Sequence, residues 1–206
     1  MSTDEFAEAA KLIASSSLAA PPSTVGPPVR PGSEFDRLDE AIRQNPRNGN
    51  AYYRRGQARA LRSQYALANE DFDMAIQLNS SDAEAFNNRC WGRAALGRLQ
   101  EALADCDRAL QLRPNYADAL DSRGLVNLKF GQNDRAIADY TAALQLKPSH
   151  ASALYGRGMA KLRKGSIVAG NVDIEAAQRI DPDVGRQFSR VLGQTEVATR
   201  GTAPSW

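Results

Sequence analysis

The chain is poor in most of the residues that carry chemistry. Its 206 residues include one histidine, His150, and two cysteines, Cys90 and Cys106. A single imidazole with no cysteine or second histidine beside it makes neither a metal site nor a nucleophile triad. No glycine-rich phosphate loop is present. The formal net charge is only +2, from 26 basic and 24 acidic residues, which gives no electrostatic grip on nucleic acid. No apolar run approaches the roughly 20 residues that cross a bilayer. The stretch from Leu12 to Ala20 is a poor secretory leader, because three serines interrupt it and acidic residues (Asp4, Glu5, Glu8) precede it. The sequence therefore argues against an enzyme, a cofactor, a metal, nucleic acid and a membrane. It favours the cytoplasm, with a periplasmic or secreted location following if Met1 is not the true start or if the cysteines are bridged.

What the chain does have is repetition. Ala75, Ala109, Ala143 and Ala177 are spaced by 34, as are Ala68, Ala102, Ala136 and Gly170. Leu78, Leu112, Leu146 and Ile180 follow the same period, and Pro114, Pro148 and Pro182 close three of the four blocks. A period of this size means one supersecondary unit stacked on copies of itself, an open solenoid without a closed catalytic cavity. The blocks run over 49–82, 83–116, 117–150 and 151–184. Each divides into two helical stretches at a glycine or serine (Ser63, Gly97, Gly131, Gly165), and Asn133 or Asp134 is placed to cap the second helix of its block. Residues 34–48 read as a degenerate half-repeat helix. Residues 1–33 read as a flexible, Ser/Pro/Gly-rich segment, with an amphipathic stretch over 3–14 that could form a short helix, and 194–206 read as a disordered tail.

These residues resemble the tetratricopeptide repeat family, in its bacterial form. The first block carries Tyr52, Gly56, Ala68 and Phe72 of the pattern, and the third carries Leu120, Gly124, Ala136, Tyr140 and Pro148. The resemblance implies an all-α fold, a right-handed superhelix of antiparallel helix pairs. It also implies a scaffold whose first helices line a concave groove for a partner's peptide or helix. Residues at i, i+3 and i+7 on those helices are Asn50, Tyr53 and Gln57, then Glu84, Asn87 and Trp91. The third and fourth blocks supply Asp118, Asp121 and Leu125, then Ser152, Tyr155 and Met159. Trp91 has no counterpart in the other blocks and resembles a recognition hot spot. The groove acids Glu84, Asp118 and Asp121 point to a protein partner with basic and apolar side chains. The carboxylate-gripping residues of heat-shock co-chaperones are absent, since of the matching positions only Asn88 agrees. An alternative is a self-associating solenoid, a homo-oligomer, whose groove its own N-terminal segment covers.

The chain departs from the family pattern in three ways. Arginine replaces the leucine before the glycine position, at Arg55, Arg89, Arg123 and Arg157. Asp71, Asp105, Asp139 and Asp173 share that phase on the second helices, so each arginine is expected to pair with the aspartate of its own block as a structural ladder. The usual tyrosine is polar (Arg59, Arg93, Asn127, Lys161). Cys90 and Cys106 replace the glycine and the aromatic that meet inside the second block. They are either reduced thiols in contact, which the weak leader favours, or a disulfide. After the last block, Val184, Phe188, Val191 and Leu192 form one helical stripe. The stripe predicts a cap helix over 183–193, started by Asp181 or Asp183, with Phe188 buried against the fourth repeat.

Overall fold

The computed structural model describes residues 32–193. The expected N-terminal segment and C-terminal tail lie outside the described residues. Among the described residues there are ten α-helices and no strand. A lone helix, α1 (Glu34–Gln44), precedes four helix pairs: α2 (Gly49–Leu61) with α3 (Tyr65–Leu78), α4 (Ala83–Ala95) with α5 (Leu99–Leu112), α6 (Ala117–Lys129) with α7 (Asn133–Leu146), and α8 (Ala151–Arg163) with α9 (Ile167–Ile180). Helix α10 (Val184–Leu192) follows. Each pair packs on the next, which makes the array a solenoid of paired antiparallel helices.

The turn inside each pair needs a left-handed residue. Gly97, Gly131 and Gly165 supply it with φ of 77°, 75° and 80°, and Ser63 takes the same role at 59°. The first helices start on side-chain caps where the sequence has them: Asn48 accepts from the Ala51 amide and Asp82 from those of Glu84 and Ala85. The expected cap at Asn133 or Asp134 does not form, because α7 begins at Asn133 and its N-cap is Gln132, without a side-chain bond.

The core sits between the two helices of a pair and between neighbouring pairs. Ala68, Ala102 and Ala136 are fully buried there. Tyr140 shows why glycine is needed opposite it. A Cβ at Gly124 would lie 2.8 Å from its ring, and one at Gly156 in the next repeat would collide with its ring and hydroxyl. Gly156 stands where the second and third repeats carry Asn88 and Ser122, so the fourth repeat makes the room that this tyrosine requires.

Each arginine reaches the aspartate of its own repeat. Arg55, Arg89, Arg123 and Arg157 donate to Asp71, Asp105, Asp139 and Asp173 at 2.6 to 2.8 Å, and all four carboxylates are buried. Two further layers belong to this ladder. The residues in place of the family's tyrosine reach the same carboxylates: Arg59 forms an ion pair with Asp71 at 2.8 Å, while Arg93 donates to Asp105 at 2.7 Å, Asn127 to Asp139 at 2.8 Å and Lys161 to Asp173 at 2.7 Å. The first three arginines also reach backwards, Arg55 to Asp39, Arg89 to Asp73 and Arg123 to Asp107, at 2.6 to 2.9 Å. Thr141 holds that backward position behind Arg157. Burial lowers the affinity of Arg55 for its proton, and the bonds to Asp71 and Asp39 outweigh it, leaving the group above its ordinary pKa.

Cys90 and Cys106 are joined in a disulfide, with Cα atoms 5.4 Å apart and both side chains fully buried. Of the two alternatives open in the sequence, thiols in contact or a bridge, the structure has the bridge. Alternation of a small residue and an aromatic elsewhere leaves two thiols facing each other at bonding range in this repeat.

The helix expected after the last block is present, and its Phe188 is buried against the fourth repeat, on the α8 side rather than along α9: Val184, Phe188 and Val191 of α10 are its buried residues. The Phe188 ring meets Tyr155 of α8 with centroids 5.2 Å apart, and the Val191 carbonyl accepts from Lys129 at the end of α6. Asp183 precedes α10 without a side-chain cap bond, and Asp181 instead accepts from the Asp183 amide and from Gln187. Asn171 and Gln178 stand where the preceding pair has Ile137 and Leu144, and α10 leaves Ile167, Val168, Val172 and Ile180 of α9 exposed.

Candidate functional site

The face formed by the first helices α2, α4, α6 and α8 carries the residues expected to meet a partner. The structure divides them into three groups. Asn50 and Gln57 are exposed on α2. Asn87 and Leu125 are buried, at 6% and 5% exposure, and serve the packing between repeats. The others are half-buried and mostly engaged within the chain.

The acids are the clearest case. Glu84 accepts from Tyr53 at 3.2 Å and from Arg113 at 3.3 Å. Asp118 accepts from Lys147 at 2.8 Å and meets the Nε2 of His150 at 3.1 Å. His150 is thus a groove-side partner of Asp118 at the start of α8. Burial alone would raise the Asp118 pKa, and the bonds from Lys147 and His150 hold it below its usual value. Asp121 differs. Its Oδ2 accepts from Ser152 at 2.7 Å, while Oδ1 is buried with no hydrogen-bond partner among the described residues. Burial pushes this carboxyl up to about 6, against smaller opposing effects from His150 and Ser152.

That shift has a sign. The folded chain holds the Asp121 proton more tightly than the unfolded chain does, so stability falls as pH rises from about 4 to about 6. Asp121→Asn keeps an acceptor for Ser152 and removes the charge. It is expected to raise stability at pH 7 by about 2 kcal/mol and to flatten that pH window, read from urea unfolding at pH 4 and pH 7. A variant as pH-sensitive as the wild type would show that the carboxylate is solvated.

Trp91 packs on one side and is open on the other. Its ring meets Tyr65 edge-on, with centroids 5.2 Å apart. Its free side lines a cleft of about 550 Å³ with Ala60, Leu61, Phe72 and Asn88, closed at one end by Gln187, Arg190 and Val191 of α10. Leu61 is 89% exposed at the mouth. Tyr65 and Leu61 were not singled out in the sequence. Their signal was the one that drew attention to Trp91, since the later blocks have Leu99, Asn133 and Ile167 against Tyr65, and Ala95, Lys129 and Arg163 against Leu61.

The other end of this face is occupied by α10. Tyr155 and Met159, with Leu125, belong to the apolar cluster that buries Val184, Phe188 and Val191. A second cleft of about 820 Å³ lies between α8, α9 and α10, lined by Leu162, Ile174 and Leu192, beside α9 where a following repeat would stack.

Among the described residues, no group of three His, Cys, Asp or Glu is placed to hold a metal ion, and no helix is long and apolar enough to cross a membrane. A helical-repeat fold with its open face lined by aromatic and aliphatic side chains defines a non-catalytic scaffold of the protein-binding class. The chain belongs to the tetratricopeptide repeat family: models described as tetratricopeptide or TPR repeats match residues 36–83, 83–116 and 128–165. A comparison with the curated proteins gives no match. Solved structures share the fold. TTC0263, a thermophilic TPR protein of Thermus thermophilus, is 20% identical with a TM-score of 0.64, covering 77% of this chain and 88% of its own. PilW, a type IV pilus biogenesis factor, is 23% identical with a TM-score of 0.64, covering 78% and 80%. YrrB, described as a TPR protein with an unusual peptide-binding site, is 23% identical with a TM-score of 0.58, covering 76% and 84%.

Proposed function

We propose that the chain is an interaction scaffold that holds a peptide or helix of a partner protein against the face formed by its first helices. The observation that carries this reading is that the same face already accepts a helix, with Phe188 of α10 seated on Tyr155. The peptide-binding site named for YrrB, a protein of the same fold, is in keeping with it. The partner is recognised chiefly by apolar side chains. Glu84 and Asp118 are satisfied by Arg113, Lys147 and His150, and the unpartnered oxygen of Asp121 is buried, so these acids offer a partner's basic groups little. The bridge between Cys90 and Cys106 favours an oxidising compartment, such as a periplasm, over the cytoplasm.

The test is a selection of peptides on the purified chain, followed by titration of variants. Trp91→Ala is expected to weaken the selected peptides at least tenfold, as loss of a buried aromatic anchor does. Glu70→Ala, exposed on α3, is expected to leave them unchanged. Equal effects of the two substitutions would overturn the assignment of the face.

A further inference from the structure

Helix α10 is in an unusual place for the segment that follows the last repeat. Residue 185 is one period after Ala151, so α10 coincides in sequence with the first helix of a fifth unit. Such a helix would stack along α9, as α4, α6 and α8 stack along α3, α5 and α7. Instead α10 leans on the first-helix face, and the stacking place beside α9 is left as the cleft lined by Leu162 and Ile174. Because Ile167, Val168, Val172 and Ile180 of α9 stay exposed with α10 in place, burying the end of the solenoid does not explain α10. What α10 does meet is Tyr155, with Met159 beside it, two of the positions meant for a partner.

The hold on α10 is specific and slight. Val184, Phe188 and Val191, at 2%, 7% and 6% exposure, make one stripe, with the aromatic four residues after one valine and three before the other. Lys129 donates to the Val191 carbonyl at the C-terminal end, where a helix favours a cation, and also to the Ala94 carbonyl of α4. The opposite face, Arg186, Gln187, Ser189 and Arg190, is exposed. Nine residues are too few to stay helical alone in water, so α10 persists through its contacts. Beyond its far end the face continues as the cleft beside Trp91, Tyr65 and Leu61, large enough for further apolar side chains.

We infer that α10 is a built-in competitor for the partner site, and that the partner is an amphipathic helix with the same spacing, an aromatic flanked by branched aliphatics four residues before and three after. This rests on the reading of the first-helix face as the partner site. The incoming helix displaces α10, takes the Tyr155 seat with its aromatic, receives Lys129 at its C-terminal end and extends towards Trp91. A helix longer than nine residues wins because α10 covers one end of the face and leaves the Trp91 cleft unfilled.

The test uses the full chain and a fluorescent peptide of residues 182–193, PDVGRQFSRVLG, titrated by anisotropy. The proteins are the wild type, Phe188→Asp, and Ser189→Pro, which breaks α10 while leaving every groove side chain in place. Far-UV circular dichroism and thermal melting report whether each variant keeps the solenoid; if Phe188→Asp does not, Ser189→Pro decides. The peptide is expected to bind the released variants at least tenfold more tightly than the wild type, and a peptide with Phe188→Asp to bind none of them. Equal binding to the wild type and the variants would overturn the competitor and leave the partner site standing. No binding to any folded protein would overturn both the competitor and the helical class of partner.

Discussion

Arg123→Leu is expected to lower the unfolding free energy by about 4 kcal/mol, because it leaves a buried carboxylate without its charge partner. Asp139 is 8% exposed, and the bidentate bond from Arg123 is replaced by nothing, with Asn127 as its remaining donor. Loss of the second contact, to Asp107, adds little, since that carboxylate is 47% exposed and returns to water. The control is Arg54→Leu, whose pair with Glu34 is about half exposed on both sides and is expected to cost less than about 1 kcal/mol. Urea unfolding of both variants, at one pH and salt concentration, gives the comparison. An Arg123→Leu midpoint no lower than that of Arg54→Leu would show that the ladder is solvated and contributes nothing beyond surface pairing.

Reduction of the Cys90–Cys106 bridge is the second large effect. The bond closes a loop across 16 residues, for which the chain-entropy account gives about 3 kcal/mol. Both sulfurs are fully buried, so a reductant acts mainly on opened molecules, and the effect is expected only after equilibration. Thermal melting with and without dithiothreitol should then differ by several degrees for the wild type. The Cys90→Ala/Cys106→Ala double variant should melt identically in both buffers. A wild type indifferent to the reductant would mean that the thiols are free, and would return the location to the cytoplasm.

Much of this was written in the sequence, and unevenly. A 34-residue period fixes which residues share a phase, so the Arg–Asp contacts within a repeat could be read from Arg123 and Asp139 alone. The backward contacts carried the same signal, with Asp39, Asp73 and Asp107 one period apart, but a residue whose contact lies in the neighbouring unit is easily taken for a solvated helix face. The polar residues at 59, 93, 127 and 161 look like departures until the geometry shows them sharing the carboxylate. For α10 the stripe of Val184, Phe188 and Val191 announces a helix with one buried side and nothing more. Two surfaces could receive it, the outer side of α9 and the first-helix face, and the stripe does not say which. The cysteine alternatives differ only in the separation of two Cα atoms, which no pattern of residue types encodes.

Thr141 gives the array an uneven mechanical character. Where Arg55, Arg89 and Arg123 reach back to a carboxylate, the joint between successive repeats is tied by an attraction that falls off slowly with distance. Behind Arg157 the pair across the joint is instead that of Lys164 with the largely exposed Asp134, and the contact of Tyr140 with Gly156 is close packing, which is lost within about an ångström of separation. The last joint therefore rests more on packing and less on charge than the first three. Helix α10 crosses that last joint on one side, holding Lys129 of the third repeat and Tyr155 of the fourth together, and so acts as a splint. On the proposed reading, lifting it uncovers the first-helix face and, in the same movement, takes the brace from the last joint.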